Sequence, residues 1–319
     1  GEKARFDVLG AAGIDNPITY PGTAITEASI VINGAFFDGI GEPDSPTDEP
    51  SQLAFESIMV HEIGHFINLD HSVVNHELAL DGNPANDAFV PTMYPLTVND
   101  EAAITTLNPD DQAAVARLYP TGAFPFLTNR IFGSVLAGGI SFQGAEVIAR
   151  RTDNPLLYAY SAISGDRFFP CNPGGICDCT TGQCDVATPP PAAQGEFTIA
   201  GLPSGVYTLC MEQIDTRIAL DNGTYVGPLA TPATIPGPEE CWDPAESSDP
   251  GVDDPDNRGT GFLFEGDFWP VSIQVNGLPA TDNFEPNNTL GTAKPLPGLP
   301  AGRDTAPAVL ASGDLDYYQ

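Results

Sequence analysis

His61-Glu62-Ile63-Gly64-His65-Phe66-Ile67-Asn68-Leu69-Asp70-His71 holds three of the chain's four histidines within eleven residues. In a helix, positions four apart stand on one face, so the imidazoles of His61 and His65 reach a common point. That arrangement suits two nitrogen ligands of one metal ion. Glu62 stands beside the first ligand, placed to hold a metal-bound water without being a ligand itself. His71 follows six residues after His65, and it returns to the same point only if the chain leaves the helix near Asn68. Asparagine is among the few residues besides glycine that tolerate the left-handed conformation of so sharp an exit. Three neutral imidazoles leave a fourth position open to water, which marks a catalytic zinc site rather than a structural one. The bland alternative is a buried helix with incidental histidines. The spacing, in a chain otherwise poor in histidine, argues against it. His76, the histidine left over, has Leu80 where a second ligand would stand and is expected at the surface.

Outward from this stretch, residues 51–69 carry Leu53, Ile58, Met59, Val60, Ile63, Phe66 and Ile67, which predicts a buried helix. Pro50 suits its first position, with Asp48 or Glu49 as the cap. Upstream, Ala28-Ser29-Ile30-Val31-Ile32-Asn33 is β-rich, and a Gly/Asp/Pro-rich loop separates it from the helix. A second helix is marked at its ends. Asn108 caps it, Pro109 takes the first position, Asp110 and Asp111 favour the positive end of its dipole, and Pro120 stops it.

The histidine segment resembles the zinc motif of the metzincin metalloproteases, and within that clan it is most similar to the matrixins and their bacterial relatives. Ser72, after the third histidine, is the matrixin choice. Pro91-Thr92-Met93-Tyr94-Pro95 resembles the matrixin Met-turn, which implies that Met93 lies beneath the metal without touching it. Residues 107–119 look like the helix that closes the matrixin catalytic domain, and residues 25–33 resemble the strand ahead of its active-site helix. Tyr94 directly follows the methionine, so it takes no catalytic role. The resemblance implies an α+β catalytic domain over residues 1–122 whose first strands and first helix precede Gly1, so that this stretch alone folds poorly and is inactive. Asn68 stands where the family uses glycine. The segment between His71 and Met93 is longer than usual, and its acidic part, residues 77–87, reads either as a calcium-binding (Ca2+) loop or as a solvated one.

Function follows as an expectation. A Zn2+ ion held by His61, His65 and His71 would acidify its water, and Glu62 would take that water's proton during peptide-bond hydrolysis and pass it to the departing amine. The substrate is then a protein or peptide, lying extended near residues 6–10. The rival readings are a catalytically inert surface adhesin and a metallohydrolase acting on another substrate class. Oligomeric state is left open.

From residue 129 the pattern changes to short strands between Gly/Pro turns: residues 131–135, 145–149, 196–199, 205–209 and 271–275. This predicts an all-β sandwich over residues 123–278, with two inserts read as exposed loops. One is the cysteine-rich stretch and the other the acidic residues 239–256. Residues 129–210 resemble the carboxypeptidase-regulatory-like, transthyretin-type sandwich. Residues 279–319 are similar to the start of a bacterial pre-peptidase C-terminal domain, truncated.

Cys171, Cys177, Cys179, Cys184, Cys210 and Cys241 allow 15 pairings, among which sequence cannot choose. Four thiolates could instead close a structural zinc site, but no two show the separation of a zinc knuckle, so disulfides are favoured. Disulfides point outside the cytoplasm, to a secreted bacterial protein. The charge is −32, from 43 acidic against 11 basic residues. Such a surface repels phosphate backbones, which excludes nucleic-acid partners. It suits either a salty setting or an ordinary acidic exoprotein. No apolar run is long enough to span a bilayer.

Overall fold

The computed structural model describes residues 10–14, 28–32, 51–96, 98, 100–120, 128–137, 140–165, 168–171, 175–178, 194–214, 226, 234–247, 249 and 257–276. Residues 6–9, expected along the substrate path, lie outside the described residues, as do Cys179, Cys184 and residues 279–319. The described chain is mixed α/β, with several sheets and few helices.

β1 (Gly10–Ile14) pairs antiparallel with β2 (Ala28–Ile32), and both touch α1 (Gln52–Phe66). Ser51, rather than Asp48 or Glu49, caps α1. Its backbone is extended, and its hydroxyl accepts the Ala54 N–H at 3.0 Å, satisfying a donor that the first turn leaves unpaired. Nor is α1 buried all round. Leu53, Phe55, Ile63 and Phe66 are exposed, while Ala54, Ser57, Glu62 and Gly64 are buried. Small and polar residues take the inward face because other chain segments approach it closely there.

Beyond α1, residues 77–87 are less loop-like than expected. α2 (His76–Leu80) and a 3-10 turn (Asp87–Phe89) occupy much of the segment, and the fully buried Asp87 accepts the Asp100 N–H at 2.6 Å. His76 is buried, not at the surface. Its Nδ1 stands 3.3 Å from the Tyr94 hydroxyl, a partner no local pattern announces. α3 (Pro109–Leu118) starts with a full capping box, Asn108 and Asp111 each accepting from the other's backbone end.

The sandwich packs two sheets over an apolar core. In one, β5 (Ala145–Arg151) lies between β6 (Ala159–Ile163) and β10 (Gly205–Gln213). β10 also pairs with β11 (Glu240–Cys241) and β12 (Gly261–Leu263). In the other, β3 (Asn129–Ala137) runs parallel to β13 (Phe268–Val275) and antiparallel to β4 (Ile140–Ser141) and β9 (Glu196–Leu202). Ile131, Val135, Val147, Phe197, Leu209 and Ile273 fill the space between them. A hairpin of β7 (Phe168–Cys171) and β8 (Gly175–Asp178) lies within the cysteine-rich stretch.

Cys210 and Cys241 face each other across β10 and β11 and form a disulfide. The acidic stretch around them is not simply an exposed loop. Glu240, Cys241 and Asp243 are buried, Glu240 accepts the Asn276 N–H at 2.7 Å, and Glu246 accepts the Gln274 N–H at 2.7 Å. Its carboxylates serve as acceptors for backbone donors at the end of β13, a long-range use that composition cannot reveal.

The sandwich and the histidine-bearing segment share a core. Ile163 and Ile214 pack with Val73, Tyr94, Val98 and Ile104, and Ile148 and Ala159 enclose Val74. α3 lies against β6 and β9, the neighbouring outer strands of the two sheets. At β9, Gly201 (φ 85°) makes room for it. A Cβ there would stand 3.0 Å from that of Ala113. Among the described residues, no helix is long and apolar enough to cross a membrane.

Candidate metal centre

α1 carries His61, Glu62 and His65, and its end decides where His71 goes. Asn68 has φ 72°, in the left-handed region. Its N–H reaches the His65 carbonyl at 2.9 Å, and the Leu69 N–H reaches the Gly64 carbonyl at 2.9 Å. Those two bonds close the helix as a Schellman motif, and the buried Leu69 folds back towards Gly64. The chain therefore turns sharply after one residue and brings His71 back beside the helix.

The three imidazoles then converge. Nε2 of His65 lies 3.1 Å from Nε2 of His61 and 3.0 Å from Nε2 of His71. The His65 ring stands nearly perpendicular to the other two, at 84° and 80°. Among the described residues these three form the one cluster of His, Cys, Asp or Glu able to hold a metal ion. All three rings are half-buried.

Their tautomers follow from the outer nitrogens. His61 Nδ1 lies 2.8 Å from the Thr92 carbonyl, and His65 Nδ1 lies 2.9 Å from the Leu69 carbonyl. A carbonyl only accepts, so each Nδ1 carries its proton, and in the neutral ring Nε2 is a bare lone pair. Burial keeps His61 neutral: its pKa is lowered to about 4, with the Thr92 hydrogen bond opposing and the neighbouring His65 adding to the shift. Lone pairs this close repel one another unless a cation sits among them. The spacing is near the roughly 3.3 Å edge of a tetrahedron with zinc–nitrogen bonds of about 2.0–2.1 Å.

Glu62 is buried, and among the described residues its Oε2 has no hydrogen-bond partner. Burial raises its carboxyl above the ordinary range, with His65 pulling the other way. A buried carboxylate oxygen without a donor is an open acceptor.

Beneath the rings lies the Met-Tyr turn. Met93, Tyr94 and Thr92 are all buried, and Ser72, next to His71, donates its N–H to the Met93 carbonyl at 3.0 Å. Asp111 holds the turn from below, accepting from Thr92 N at 2.8 Å, Met93 N at 3.2 Å and Asn108 N at 3.0 Å. Asp110 accepts the Ser72 hydroxyl at 2.6 Å. The sequence marks both aspartates only as favourable charges at a helix start. Their service to the site rests on contacts 18–38 residues away in the chain, for which no local pattern exists.

No family model matches the chain, and no curated protein does.

Proposed function

We propose that the chain is a zinc-dependent endopeptidase of the matrixin-like metzincin type, exported from a bacterial cell, with Zn2+ held by His61, His65 and His71. The observation that carries this reading is the convergence of three Nε2 atoms at 3.0–3.1 Å while two of the rings spend their Nδ1 protons on backbone carbonyls. Such carbonyl anchors are the usual outer partners of metal-bound histidines, fixing tautomer and ring orientation. A zinc ion there supplies a Lewis acid and an acidified water.

The chain's own residues do the remaining work. Thr92 and Leu69 hold two imidazoles in the ligating tautomer. Glu62, with its open Oε2 and raised carboxyl, accepts the proton of the attacking water and delivers it to the leaving amine. Met93 floors the site as an apolar filler against Gly64. The Cys210–Cys241 disulfide favours an oxidising compartment.

Two measurements on the purified full-length protein test the reading. Elemental analysis should find one zinc per chain, and casein cleavage should stop on adding a strong zinc chelator. A chain without stoichiometric zinc refutes the reading. Zinc without cleavage of any peptide library identifies an inert, adhesin-like relative instead.

A further inference from the structure

The helix α1 places His61 and His65 by itself, and its left-handed exit at Asn68 turns the chain back, but His71 lies beyond the helix end and is held there by the ties of residues 70–75. Some of those ties are local: His71 N–H to Asp70 Oδ1 at 2.8 Å, and Ser72 N–H to the Met93 carbonyl. Asn75 Nδ2 also donates to the Phe89 carbonyl at 2.7 Å, and further ties lead to the sandwich. Val74 packs against Ile148 and Ala159. Asn75 Nδ2 donates to the Leu156 carbonyl at 2.8 Å, and Asn75 Oδ1 accepts from Arg150 Nη1. Asp110 joins both sides: one carboxylate oxygen accepts the Ser72 hydroxyl at 2.6 Å, and the other accepts the backbone N–H of Ser161 in β6 at 2.9 Å.

The strand pattern agrees. β5 buries five consecutive residues, Ala145, Glu146, Val147, Ile148 and Ala149, which a sandwich strand with one solvated face does not do. Val147 and Ala149 face the sandwich core, while Ile148 faces the segment that follows His71. The outer surface of this sheet is therefore built to be covered by the ligand loop.

We propose that the β-sandwich holds the third metal ligand in place, with Asp110 as the positioning residue linking Ser72, beside His71, to Ser161 of β6. The proposal rests on the metal reading above. Asp110 touches neither substrate nor metal, and it acts through its hydrogen bonds. Outer partners of this kind change metal affinity by roughly 10–100-fold when removed.

The test measures zinc dissociation constants by chelator competition on the full chain. Measured against a Ser161→Ala control, which removes the hydroxyl that bonds Glu146 but keeps the backbone donor, Ser161→Pro deletes the one N–H that reaches Asp110, at an edge position where proline is tolerated. It should weaken zinc binding roughly tenfold, as should Asp110→Ala. Asp110→Asn should recover most of the loss, since its carbonyl can accept from Ser161 while its amide donates to the Ser72 oxygen. The double variant Ser161→Pro/Asp110→Ala should bind zinc no more weakly than Asp110→Ala alone, because both changes cut the same link. In cobalt-substituted protein, Asp110→Ala should shift the visible ligand-field bands and Asp110→Asn should not. Wild-type zinc affinity in Ser161→Pro, or losses that simply add in the double variant, overturn the proposal. An unmodified chain that takes up no zinc overturns the metal reading and this proposal with it.

Discussion

Gly64 lies directly over Met93: a Cβ placed on the glycine would stand 2.2 Å from the methionine sulfur. The helix between His61 and His65 thus rests on the turn beneath it with no room for even one methyl group. Gly64→Ala would gain about 1 kcal/mol of helix propensity. It would lose more by overpacking, a cost of about 1–3 kcal/mol where a buried side chain cannot move aside. The expected net result is a lower urea midpoint with an unchanged slope. A midpoint at or above that of the wild type would show that Met93 can yield.

Glu62→Gln and His65→Ala should separate binding from turnover. Glutamine keeps the size and polarity of Glu62 but cannot take a proton, so zinc content should stay at one per chain while peptide hydrolysis falls about 10²–10⁴-fold. His65→Ala removes the nitrogen that lies 3.0–3.1 Å from both of the others and should abolish stoichiometric zinc. Equal casein turnover by Glu62→Gln and wild type would remove Glu62 from the mechanism.

Two buried carboxyls predict how stability varies with pH. Asp110 is pushed up to about 7, chiefly by burial and then by the neighbouring Asp111, against the hydrogen bonds from Ser72 and Ser161. Glu146 is pushed well above its ordinary value by burial, then by Glu212 and Asp110. Both are raised on folding, so the native chain retains protons that the unfolded chain releases. The stability they confer is complete below the unfolded carboxylate range of about 3.9–4.3 and is lost as pH rises through the folded values. Urea midpoints should therefore fall from about pH 4 towards about pH 7. Asp110→Asn and Glu146→Gln should each flatten that slope. The repulsion within a chain of net charge −32 acts in the same direction, so the variants, rather than the slope alone, isolate these two groups.

What could be read from sequence was local. The three histidines and Asn68 lie within one helical turn and its exit, and their spacing carries its own geometry. The start of α3 was legible to the residue, because Asn108, Pro109 and Asp111 satisfy or remove their own orphan donors. The strands of the sandwich announced themselves through turn residues and apolar runs. What could not be read was any use of a polar residue at a distance. His76 has nothing in its neighbourhood to show that Tyr94 meets it in the interior, and Glu146 sits in the run Ala-Glu-Val-Ile-Ala, where alternation would place it in water. Local sequence does not single out the cap of α1, because Asp48, Glu49 and Ser51 are all competent acceptors, and only the path of the chain selects the serine. The acidic stretch around Glu240 is opaque for a similar reason. Composition counts its charges but does not see the backbone donors of Gln274 and Asn276 that meet them.

The place of α3 bears on how this molecule behaves in company. β6 and β9 are the strands at which another polypeptide could dock by adding itself to either sheet. Asp110 already occupies an outward amide of the first, and Arg117 donates to the Thr198 carbonyl of the second at 3.2 Å. With both of these border strands held by one short helix, strand-by-strand growth into fibrils meets α3 rather than an open edge among the described residues of that flank.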